Sequence, residues 1–114
     1  MDLVHAIDAH MLWRVRFRSA LARGQTLDVS TISADDQCEV GRWLKGQGKI
    51  ECGTNAAYAK LVEQHRDFHR CAGAVAAAIT HGSKPEAERL LAVDFKAVSM
   101  LTVAAIAALK KTMG

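Results

Sequence analysis

The chain has 114 residues, among them twenty alanines, eight glycines and a single proline; half of it is apolar and only 5% aromatic, which describes one helical domain spanning residues 1–114. Fifteen basic against twelve acidic residues leave a formal +3, interspersed along the chain, and this excludes the dense basic face of a nucleic-acid binder. Three cysteines, Cys38, Cys52 and Cys71, are an odd number that excludes a disulfide framework and suits a reducing compartment.

The opening segment is interrupted by Asp2, His5, Asp8 and His10, so it does not read as a leader peptide and the expectation is a cytoplasmic protein. The first predicted helix runs from Asp2 to Arg23, with Leu3, Ile7, His10, Trp13 or Arg14, and Phe17 at three- and four-residue steps, and stops at Gly24. Its Arg14, Arg16, Arg18 run reads as an exposed flank. After a polar, β-branched stretch from Gln25 to Ile32, a short helix starts near Ser33 as cap and ends at Gly46 and Gly48. A third, about 27 residues and near 40 Å long, begins after Thr54 as cap and stops at Gly82 in a left-handed conformation. The fourth opens on Ser83, Pro85 and Glu86 as a capping box and ends at Lys110 and Lys111.

Long helices joined by short turns predict an all-α antiparallel four-helix bundle, in which one short helix carries Cys38. The apolar run from Ala97 to Leu109 falls short of the roughly 20 residues of a membrane span and reads as a buried helix, with no membrane partner. The strong apolarity of the fourth helix leaves surface for a second subunit, and a homodimer is expected.

His65 and His69 stand four apart on the third helix, so both imidazoles can face one ion. His10 lies on the buried stripe of the first helix, where a core would otherwise take leucine. Two helices offering imidazole to one interior need a partner for those polar groups. Cys38, in DDQCEVGRWL, supplies a candidate fourth ligand, with Gly41 allowing close backbone approach and Trp43 and Leu44 placed to lid the site. Three nitrogens and a thiolate make the closed tetrahedral set that zinc prefers, with no open position for an activated water. A catalytic role is not expected, because neither a phosphate loop nor a Ser-His-Asp set nor paired carboxylates appear.

HMLWR, CEVGRWL and HRDFH resemble, in order and spacing, the three signatures of the chemoreceptor zinc-binding (CZB) domain family, over roughly Leu3 to His81. Val40 departs from the family's usual leucine, which bears on packing and not on ligation. The resemblance implies zinc held by His10, Cys38, His65 and His69 in a bundle that is usually homodimeric. It also implies a cytoplasmic regulatory role, sensing zinc or oxidants such as hypochlorous acid in chemotaxis or cyclic-di-GMP signalling, with a signalling partner or fused effector domain. Met1 slightly favours a free-standing copy over an excised piece.

His5, Cys71 and His81 read as bystanders, and Cys52, on a glycine-flanked loop, as a remote candidate to resolve an oxidised Cys38. Two other classes stay open: a metal-free dimerisation module with hydrogen-bonded histidines, and a hemerythrin-like di-iron bundle, which lacks its His-x-x-x-Glu element here because Arg14 follows His10.

Overall fold

The computed structural model describes residues 1–113. The chain is built from α1 (Leu3–Arg23), α2 (Val29–Ser33), α3 (Glu39–Lys45), α4 (Gln47–Cys52), α5 (Ala56–Thr80), α6 (Lys84–Ala92) and α7 (Asp94–Thr112), with no strand among the described residues. Three long limbs, α1, α5 and α6 with α7, enclose the core, and the expected second helix is broken into α2, α3 and α4.

The directions of the limbs follow from their contacts. Asn55 at the start of α5 donates to the Thr112 hydroxyl at the end of α7 (2.9 Å), and Phe95 at the start of α7 packs on Phe68 and on Phe17 of α1, with ring centroids 5.3 Å apart in each pair. The broken second limb descends beside α5: the Leu27 amide donates to Thr80 Oγ1 (3.0 Å), while the Tyr58 hydroxyl, near the other end of α5, donates to the Leu44 carbonyl.

Local chemistry sets the ends of most elements. Asp2 accepts from the His5 amide to start α1, and Gly24, at φ 63°, ends it in a left-handed turn; Gly82, at φ 74°, does the same after α5. Other ends differ from expectation. Asp28 caps α2 through Thr31, so the β-branched stretch is partly helical and Ser33 closes a helix instead of opening one. Asn55, not Thr54, caps α5. Ser83 makes no side-chain cap bond, and the Glu86 carboxylate pairs with Arg89 (2.6 Å) instead of reaching back to the Ser83 amide, so the expected capping box does not form. Gly46 alone separates α3 from α4, and Gly48 lies inside α4 with Trp43 against it.

The fourth predicted helix breaks at Val93, although the buried spacing Leu91, Phe95, Thr102, Ile106 and Leu109 continues across the break. An 18-residue window within Lys84–Thr112 reaches a mean hydropathy of 1.8, long and apolar enough to span a membrane by length and composition, and 33% of it is buried. The apolar stretch is therefore longer and more exposed than the run from Ala97 to Leu109 implied.

Two apolar clusters fill the interior. One gathers Phe17, Phe68, Val75, Leu91 and Phe95, and the other Leu3, Val40, Leu44, Leu61, Ile106 and Leu109. Along the long helices, His10, His65, His69 and Thr102 fall between them as a buried polar layer.

Candidate metal centre

His10, Cys38, His65 and His69 come together in this layer, each offering one ligand atom, with these atoms all within 4.8 Å of one another. The imidazoles are buried and the thiol is half-buried. Cys38 Sγ lies 3.3 Å from His65 Nε2 and 3.5 Å from His69 Nε2, and the two Nε2 atoms are 3.1 Å apart. A tetrahedral zinc, with bonds of about 2.0–2.3 Å, separates its ligand atoms by about 3.3–3.6 Å. The spacings among Cys38, His65 and His69 lie close to those edges.

The orientation of two rings is fixed by main-chain acceptors. His10 Nδ1 meets the Ala6 carbonyl of its own helix at 2.8 Å, and His69 Nδ1 meets the Ile32 carbonyl at 2.9 Å. A carbonyl only accepts, so both Nδ1 atoms carry hydrogen and both Nε2 atoms present lone pairs inward. His10 Nε2 is buried with no hydrogen-bond partner. Lone pairs converging with too few hydrogens to share call for a cation, and the donor set fits zinc.

Cys38 is not within the short helix but immediately before it. It is the N-cap of α3, and its sulfur accepts from the Gly41 amide at 3.3 Å. A Cβ on Gly41 would lie 1.7 Å from the Asp35 carbonyl oxygen, so the loop from Asp35 to Gln37 presses on the first turn of α3 and delivers the thiol to the layer. Leu44 and His65 share the wall of a cavity of about 420 Å³ that Lys45, Lys49 and Tyr58 also line. Lys45 pairs with Asp35 at 3.5 Å. Trp43 turns instead to α4.

Burial pushes His65 down to about 3, helped by the neighbouring His69, His10 and Lys45, and lowers His10 and His69 as well. These imidazoles are neutral, the form that binds metal. Burial raises the Cys38 thiol despite the Gly41 amide and Arg42, so its proton is the one a metal must displace.

The remaining candidates stay outside. His5 and His81 are exposed. Cys52 is not on a loop; it ends α4, buried, with its thiol donating to the Gly48 carbonyl at 3.0 Å. Cys71 lies against the first apolar cluster, its thiol pushed up to about 11 by burial and by Asp94. No carboxylate joins the cluster among the described residues. The Ile32 carbonyl escaped sequence reasoning because a main-chain group has no residue signature, although Asp28 before a β-branched run signals the helix that carries it.

Three imidazoles and a thiol inside an all-helical bundle define a metal-binding helical domain. The sequence profile of the chemoreceptor zinc-binding domain matches residues 10–76, and the chain belongs to that family. Its cofactor is zinc, and the family is regulatory and not a known catalytic one. No curated protein and no solved structure gives a significant match to this chain.

Proposed function

We propose that this chain is a cytoplasmic regulatory domain without catalytic activity, in which a zinc ion held by His10, Cys38, His65 and His69 reports zinc or oxidant levels to a bacterial signalling partner or a fused effector. The observation that carries the reading is the buried, unpartnered Nε2 of His10 facing the other three donors. Zinc supplies a closed, four-ligand centre with no position for a reacting water. Because the ligands come from α1, the broken second limb and α5, occupancy couples three limbs, and its loss lets them move apart.

The oxidant reading rests on the half-buried thiol. Burial favours the protonated Cys38 thiol; a bound zinc would hold it as thiolate, the reactive form. Attack of that thiolate on the chlorine of hypochlorous acid would form a sulfenyl chloride and expel hydroxide, and water would then displace chloride to give the sulfenic acid and a proton.

Elemental analysis should give one zinc per chain, and Cys38→Ala should weaken zinc by at least about a hundredfold, since a four-ligand structural site is worth about 10–16 kcal/mol in total. Metal-free protein with unchanged melting in the variant would leave the dimerisation module as the better reading. Thiol trapping after mild hypochlorite should modify Cys38 ahead of Cys52 and Cys71, and equal modification of all three would remove the oxidant reading.

A second copy is the partner we propose for the apolar face formed by Val4, Met11 and Val15 of α1 with Met100, Val103 and Ala107 of α7. Arg14, in the groove between them, has a buried Nε without an acceptor.

A further inference from the structure

We propose that Gly73 is a positioning residue for the metal centre, acting through α2 on the imidazole of His69. The inference rests on the zinc reading of the site.

Gly73 sits one turn beyond His69 on α5, inside the stretch AGAVAAA. Glycine is the poorest interior helix residue after proline, and every small neighbour here is alanine. What distinguishes the position is Ser33. A Cβ on residue 73 would lie 2.0 Å from Ser33 Oγ, 2.9 Å from its Cβ and 3.2 Å from its Cα. The last turn of α2 therefore rests directly on the α5 backbone at Gly73. The residue before Ser33 is Ile32, whose carbonyl accepts from His69 Nδ1 at 2.9 Å. Just ahead of α2, the Leu27 amide donates to Thr80 Oγ1 at 3.0 Å. The short helix is thus held to α5 at its last turn and by the segment leading into it, and the carbonyl it presents fixes which nitrogen of His69 carries hydrogen. Lifting α2 off α5 withdraws that acceptor, frees the ring to take the other tautomer and puts a hydrogen where the metal must bind.

The test compares wild type, Gly73→Ala, the double variant Ser33→Gly with Gly73→Ala, and Thr80→Val, which loosens α2 without adding an atom at residue 73. In metal-free protein, long-range proton–nitrogen spectra should show His69 with hydrogen on Nδ1 in wild type and a mixture of tautomers in Gly73→Ala and Thr80→Val. Chelator competition should show zinc about 10–100-fold weaker in Gly73→Ala, with most of the loss recovered in the double variant. The proposal is overturned if His69 keeps its tautomer in both single variants, or if the double variant recovers nothing. Should wild type bind no zinc, the reading of the site fails, while the tautomers of the metal-free chain still decide the role of Gly73.

Discussion

A buried imidazole costs more than the leucine it displaces unless each nitrogen is satisfied, and His10 has one nitrogen that is not. His10→Leu should consequently separate two quantities that usually move together. The metal-free protein should melt at a higher temperature, by the equivalent of about 1–3 kcal/mol for relieving a buried unpaired group, while zinc affinity collapses. Calorimetry beside chelator competition checks both, and a variant that melts lower would show the imidazole to be satisfied without metal. The three imidazoles also set a pH dependence. His65 titrates near 6.5 in an unfolded chain and at about 3 in the fold. Between those values the unfolded chain binds protons the native one does not, so stability rises with pH and is lost as pH falls below 6.5 toward 3. His10 and His69, lowered in the same direction, add to the loss. Urea midpoints of the metal-free protein measured down this range should fall steadily; a flat profile would contradict the burial of neutral imidazoles.

Among the elements, α3 depends most tightly on one position. Alanine at residue 41 would drive its Cβ into the Asp35 carbonyl, so Gly41→Ala must push the loop or the helix aside. It should cost about 1–3 kcal/mol, the usual range for overpacking, and also move Cys38, lowering zinc affinity beyond what the loss of stability explains. Chelator competition and denaturation on the same samples separate the two effects. The long helices were legible because apolar periodicity and glycine stops agree at Gly24 and Gly82. The second limb was not. Five residues of α2 cannot sustain a helix alone, and its β-branched sequence argues against one; packing on α5 and the Asp28 cap decide the outcome. Likewise the break at Val93 leaves the hydrophobic spacing intact, so periodicity passes over it. The four donors that converge, His10, Cys38, His65 and His69, were nameable from helical spacing and motif, whereas Cys38 as a cap, the Ile32 carbonyl and the Ser33 contact arise from tertiary approach.

For the molecule as a whole, the exposed apolar face on α1 and α7 is the feature that a single chain does not explain. If a second copy covers it, Met11→Asp should give a monomer by light scattering while retaining one zinc per chain, because Met11 lines the groove and not the polar layer. A dimer unaffected by that change, or a wild-type chain that is monomeric, would send the search to another surface. That the last helix carries more apolar surface than one core needs was readable from its composition, but not which part is exposed, since only the packed structure separates the third of that apolar window that is buried from the remainder.

The polar layer of His10, His65, His69 and Thr102 separates two apolar clusters whose contacts have no directional preference of their own. A slip of α1 by one turn along α5 would therefore still set hydrocarbon against hydrocarbon above and below the layer. Such a slip carries His10 about 5.4 Å away from His65 and His69 and leaves imidazole lone pairs facing hydrocarbon. The layer therefore works as a vernier mark that permits a single alignment of the limbs, as one buried polar residue does in a coiled coil. Filling it with leucine would exchange that unique alignment for stability.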